Sequence, residues 1–150
     1  MLAVVVATCS CAGPRSTFDF DLTGDLTERV SSSGSGATGE IDNAGHLALD
    51  DGAWGLAIGL PSISPGTYPL GTGGGRLAIT SKATGDVFTT TPSGSCSVTV
   101  NPHASSNGST VSGAFECTGL TSFDGARRVD VTAGSFQTLI DDAANNPSPP

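Results

Sequence analysis

Residues 95–100 read SCSVTV and residues 113–119 read GAFECTG, with the turn-rich NPHASSNGST (101–110) between them. Each flanking run alternates with a period of two, and Asn, Pro, Gly and Ser crowd the join, which is the pattern of a β-hairpin. Setting Cys96 opposite Cys117 in an antiparallel pair puts Val98 opposite Phe115 and Val100 opposite Gly113. Cys96, Val98 and Val100 then share one strand face, and Val111, Phe115 and Cys117 share the facing one. Both sulfurs point where the apolar side chains point, so the spacing predicts a buried cross-strand disulfide. Closing a loop of about 20 residues stabilises a domain by roughly 3 kcal/mol in the chain-entropy model, and the bond requires an oxidising compartment. A free buried pair or a metal site is the alternative. Zinc, however, normally takes four ligands at short spacings, and neither His46 nor His103 is near these cysteines in sequence.

Outward from the hairpin, strand-like segments recur at intervals typical of antiparallel all-β domains. In STFDFDL (16–22) Phe18, Phe20 and Leu22 lie on one face; AWGLAIGL (53–60) aligns Trp54, Leu56, Ile58 and Leu60; GRLAIT (75–80) turns Leu77 and Ile79 inward. Turns are expected around Asn43 to Gly45, in PSISPGTYPLG on both sides of a short strand, in SKATGD before VFTTT, and in PSGS. SSSGSGATGE (31–40) reads as a flexible loop. RRVDVTAGSFQTLI (127–140) alternates through Val129 and Val131 and then changes phase toward Phe136, Thr138 and Ile140, which predicts a bulge at Ala133 and Gly134. The expectation is an antiparallel β-sandwich, immunoglobulin-like or jelly-roll-like, of about nine strands over residues 13–140. The tail 141–150, DDAANNPSPP, has almost nothing to bury and reads as disordered.

The 150 residues suffice for one core, and composition agrees with β structure: charged residues are only 13% and glycines number 21. A formal charge of −8 argues against nucleic acid, because phosphate recognition needs clustered Lys and Arg and the one basic doublet is Arg127–Arg128. The scattered acids read as a charge that keeps an exported protein soluble.

The chain begins MLAVVVATCSCAG. Leu2 to Ala7 supplies the apolar stretch of an export signal and small residues follow it; a start assigned too far downstream would account for the missing basic region. The run is far shorter than the roughly 20 apolar residues of a transmembrane helix. Val6-Ala7-Thr8-Cys9 resembles a bacterial lipobox, in which cleavage precedes a cysteine whose sulfur carries diacylglycerol. The resemblance implies lipidation of Cys9 and a membrane anchor, with residues 1–12 as the signal and lipobox segment. Thr8 stands where Gly, Ala or Ser is usual, and an ordinary cleaved or truncated signal with incidental cysteines is the other reading. Cys11 has no role in either.

GTYPL (66–70), SGAFECTGL (112–120) and GARRVDVTAGSF (125–136) together resemble a pattern found in small, mostly uncharacterised β-sandwich lipoproteins of bacterial envelopes. In outline it runs Gly-Thr-Tyr, then Gly-x-Phe, then a strand ending in x-Gly-x-Phe. The resemblance implies an envelope location and supplies no catalytic residues.

No catalytic constellation stands out. Neither Gly94-Ser95 nor Gly134-Ser135 lies in a nucleophile elbow, and both histidines fall in turns, where solvated loop residues are expected. Fourteen acids offer accidental pairs, none distinguished as glycosidase carboxylates. Asp50 and Asp51, with Asp42 or Asp124, could offer oxygen to calcium, but the regular Asp-x-Asp-x-Asp-Gly spacing is missing. Trp54 shares its face with Leu56 and Ile58 and is expected in the core; Tyr68, between Gly66 and Pro69, is the candidate ligand contact. Asn107-Gly108-Ser109 fits a glycosylation sequon, which in a bacterial lipoprotein would be only a turn. No metal or cofactor is implied. The expected protein is an exported, lipid-anchored cell-envelope component acting without catalysis as a binding or structural module, its partner an envelope protein or glycan. The alternative is a small secreted hydrolase or carbohydrate-active domain with a site built from loops.

Overall fold

In the computed structural model, residues 16–32, 36–71 and 74–141 are described; Cys9, Cys11 and the lipobox lie outside them. Period-two alternation governs almost every element. Eleven strands form: β1 (Thr17–Gly24), β2 (Glu28–Ser31), β3 (Thr38–Ile41), β4 (His46–Asp50), β5 (Trp54–Gly59), β6 (Gly66–Leu70), β7 (Arg76–Ser81), β8 (Val87–Thr89), β9 (Ser95–Val100), β10 (Thr110–Ser122) and β11 (Arg128–Leu139). Among the described residues no helix is long and apolar enough to cross a membrane.

All strand pairs are antiparallel, in the order β2-β1-β11-β10-β8-β7-β5-β4-β3, with β9 and then β6 branching from β10. The fork arises because β10 is thirteen residues long. Along the edge away from β11 it pairs with β9 through residues 113–118 and with β8 at Thr121 and Ser122. The sheet then curls until β3 returns to β1 and β11. Isolated bridges join Ser16 to Ala37 and Ile41 to Ile140, and the Asp141 amide donates to the Ile41 carbonyl at 2.9 Å. Two buried hydroxyls complete this seam, Ser16 Oγ lying 2.8 Å from Gly39 O and 2.9 Å from Thr138 Oγ1. A buried hydroxyl needs such partners, and here they also cover the exposed edge of β3.

This architecture corrects two expectations. The antiparallel all-β class holds, but the separate facing sheets of an immunoglobulin-like or jelly-roll-like sandwich give way to one curled sheet that resembles half a barrel. The strands number eleven among the described residues rather than about nine, because SSSGSGATGE is not all loop. Its ends belong to β2 and β3, short strands whose polar residues face water while Val30 and Ile41 reach the core. Polar strands of four residues carry almost no periodic signal.

The curl encloses a single core. Phe18, Phe20 and Leu22 enter from β1, Leu56 and Ile58 from β5, Leu77 and Ile79 from β7, and Val98 and Val100 from β9. Phe20 is its centre: its ring meets Trp54 edge-on at 5.9 Å and lies 6.0 Å from both Phe18 and Phe115. Trp54 is thus a packing residue, as its parity predicts.

The cysteine hairpin forms in the expected register. Cys96 pairs with Cys117, Val98 with Phe115 and Val100 with Gly113, and the two cysteines are disulfide-bonded with Cα atoms 4.1 Å apart.

Candidate functional site

The feature that organises the outer surface is a pair of opposed bulges in the long β10–β11 hairpin. Between Phe115↔Gly134 and Cys117↔Val131, β11 spends one residue more than β10; between Cys117↔Val131 and Leu120↔Val129, β10 spends one more than β11. The first irregularity contains Ala133, whose φ of 50° makes it the one left-handed non-glycine residue among those described. The second contains Gly119, at φ 76°, and its amide donates to Asp130 Oδ1 at 2.7 Å. Each bulge flips the inward parity, so Val129 and Val131 are followed inside by Gly134 and Phe136, and Cys117 by Leu120. Bulges bend strands and redirect side chains, and they recur beside functional sites. The β11 bulge falls where the sequence predicts it; the compensating β10 bulge has only Gly119 as a signal.

Between the two bulges the outer face is hollowed. One solvent-open hollow of about 200 Å³ is lined by Ser97, Thr99, Ala114, Glu116 and Ala133. A second, of about 320 Å³, shares Ser97 and Glu116 and adds Ser95, Thr118, Asp130 and Thr132. A third continues from Thr118 and Asp130 to Asp25 and Arg128. Together they form a trough of hydroxyls and carboxylates, with Cys96 and Cys117 among the residues that line its middle. Beyond their backbone ladder bonds, the side chains of Ser95, Ser97, Glu116, Thr118 and Thr132 make no hydrogen bond or ion pair to another described residue. Hydroxyls elsewhere are commonly engaged: Ser32 with the Phe18 backbone, Thr84 with Asp86, Ser106 with Ser109, Ser122 with Asp124.

The residues singled out from sequence lie elsewhere. Tyr68 pairs with Val98, so it faces away from Ser97 and Thr99; half-buried, it donates its hydroxyl to Ser64 O at 2.5 Å. His46 is exposed beside Asp42 at 3.1 Å. His103 lies in a loop as expected, but it is half-buried there, with Nε2 2.6 Å from Ile63 O and Nδ1 2.8 Å from Ala104 O, which ties two loops together. The carboxylates weighed for calcium hold turns instead. Asp51 Oδ1 accepts from the Ala53 and Trp54 amides, and Asp50 meets Lys82 Nζ at 2.7 Å and the Gly52 amide. The Lys82 ammonium, and next the Gly52 amide, hold the Asp50 carboxyl below its usual range. Asp124 is lowered likewise, first by the Ser122 hydroxyl and then by the Ala126 amide. Glu40 is raised, chiefly by a hydrogen bond shared with Asp141 across the seam. Arg127 pairs with Asp86, and the Arg128 guanidinium lies over Gly119, so the basic doublet diverges.

No trough residue could be found from sequence as a group, because exposed Ser and Thr on alternate strand positions are also what an inert outer face looks like. Only the bulge, by its broken parity, marks where that face departs from a regular sheet.

No curated protein and no solved structure matches the chain. Residues 35–139, from ahead of β3 to the end of β11, match the model of a domain of unknown function, DUF6252. The matched segment is well over half of the chain and contains β10, β11 and both bulges, so this protein belongs to the DUF6252 family.

Proposed function

We propose that this protein is an exported, lipid-anchored component of a bacterial cell envelope that acts without catalysis, as a binding module. The observation that carries the proposal is the polar trough on the outer face, where hydroxyls and a carboxylate stand unengaged over a disulfide-closed hairpin. A cross-linked, buried cysteine pair suits an oxidising compartment. The resemblance of its Gly-x-Phe motifs to those of envelope lipoproteins supports the same location. So does the lipobox-like Val6-Ala7-Thr8-Cys9, with Cys9 as the acceptor. Binding is favoured over serine-type hydrolysis because neither histidine is paired with a serine: His46 is held by Asp42, and His103 lies against two carbonyl groups.

Fractionation of expressing cells and intact mass of the membrane-extracted protein test this reading. The expected species is a diacylglyceryl-modified chain beginning at Cys9 in the membrane fraction. An unmodified chain recovered from the cytosol with both Cys96 and Cys117 as free thiols overturns it.

A further inference from the structure

We infer that the trough between the two bulges binds a saccharide, uncharged rather than anionic; the inference rests on the reading of this protein as an envelope binding module and specifies its ligand. Ser97, Thr118 and Thr132 are hydroxyls that can both donate and accept, and Glu116 accepts only. Ser97 sits directly across from Glu116 at the strand spacing of about 4.8 Å, and Thr118 follows about 6.8 Å along β10, the scale of a sugar ring with its hydroxyls, while Thr132 joins them from the bulged stretch of β11. A ligand presenting many groups that also both donate and accept can satisfy such a grid without leaving polar atoms unpaired.

The same lining disfavours other ligand classes. Glu116, Asp130 and Asp25 outnumber the one cation of the trough, the Arg128 guanidinium at its far end, and in a chain of net charge −8 they repel phosphate, sulfate or uronate groups. Among the lining side chains there is no exposed aromatic or aliphatic pocket to seat a peptide anchor; Phe115 contributes to the wall but is buried. Nor is there a strand edge to accept an added β-strand, because β10 is hydrogen-bonded on both sides, to β9 and to β11. The second hollow, about 320 Å³, is at the lower bound of small-ligand sites, which fits one or two sugar rings held at a solvent-open surface.

The bulges make this site. A regular sheet would point Thr132 and Glu116 straight out of a flat face. The extra residue at Ala133 bends β11 there, and Gly119 lets β10 restore the register one step later, with Asp130 tied to the Gly119 amide.

The test is titration of the isotopically labelled full chain with neutral oligosaccharides of N-acetylglucosamine, glucose, galactose and mannose, with oligogalacturonate as the anionic control. Amide shifts should appear at residues 95–99, 116–118 and 130–133 with at least one neutral oligosaccharide. The double variant Glu116→Gln/Thr118→Val, at two exposed positions, should keep the wild-type spectrum elsewhere and bind that sugar about tenfold more weakly or worse. Absence of shifts with every neutral sugar overturns the inference. So does a response only to oligogalacturonate, or binding that the double variant leaves unchanged. Export and lipidation are read separately by fractionation and intact mass, so a protein that is anchored yet binds no sugar loses this inference alone.

Discussion

Phe115 lies directly across from Gly134, its ring so close that a β-carbon added to that glycine would sit 2.7 Å from two ring carbons and closer still to the Phe115 carbonyl. The reciprocal pair is Gly113 and Phe136, two residues along the same hairpin, where an added β-carbon would meet the Phe136 ring at 2.7 Å. The two Gly-x-Phe motifs are therefore one device. Each strand offers a glycine as the floor for the aromatic ring of the other, and both rings reach the core without separating the strands. Gly113→Ala and Gly134→Ala should each destabilise the domain by about 1–3 kcal/mol through overpacking. Urea denaturation followed by Trp54 fluorescence reads this, and an unchanged midpoint for both variants would show that the rings are not seated on the glycines.

The disulfide acts on β10 from its other side, in the β9–β10 hairpin. The register of β9 on β10 is also set by Val98 on Phe115 and Val100 on Gly113, so the bond's chief effect is on the unfolded chain, across a separation of 21 residues. Replacing both cysteines by alanine should lower stability by about 3 kcal/mol while leaving the far-ultraviolet circular dichroism of the folded state intact. A loss of β structure under native conditions would mean instead that the bond specifies the pairing.

Much of this hairpin is legible in sequence, because two cysteines, two valines and a phenylalanine agree on one register. β11 is legible for a similar reason, its change of phase falling between Val131 and Phe136. The curl of the sheet is not. It depends on Ser16, Ile41 and Thr138 meeting from distant parts of the chain, and none belongs to a local pattern that names its partner. The sandwich expectation failed there, since alternation tells which face is inward and says nothing of whether inward faces belong to one sheet or two. The trough is equally silent. Its side chains are ordinary outer-face residues until two bulges bring them to one hollow.

Ala133 bears the conformational cost of the first bulge. A left-handed conformation costs an L-residue with a β-carbon roughly 1–2 kcal/mol, whereas glycine adopts it freely but loses more backbone entropy on folding. Ala133→Gly should therefore stabilise the protein by about 0.5–1 kcal/mol net, and Ala133→Val should destabilise it. Thermal melts of the two variants check the order. The reverse order would mean that residue 133 does not hold the left-handed conformation in solution.

Stability should fall in acid by a mechanism with two opposed parts. Asp50 and Asp124 titrate below their usual range when folded, so their contribution is complete above the unfolded carboxylate range of about pH 4 and is lost as pH falls through their lower folded values. Glu40 has the opposite sign. Its carboxyl is raised above the usual 4.5 by the hydrogen bond shared with Asp141, so its contribution is complete below the unfolded value and is lost as pH rises through the folded one. Above that range two carboxylates repel across the seam that joins β3 to the end of β11. Glu40→Gln should consequently raise the melting temperature slightly near pH 7 and lose that advantage near pH 3. Asp50→Asn should do the reverse, costing at most about 1 kcal/mol near neutrality, since its pairing with Lys82 is half-exposed, and flattening the acid limb. Melting curves of the three proteins from pH 3 to 7 separate the two effects, and a Glu40→Gln profile parallel to wild type throughout would rule out the shared proton at the seam.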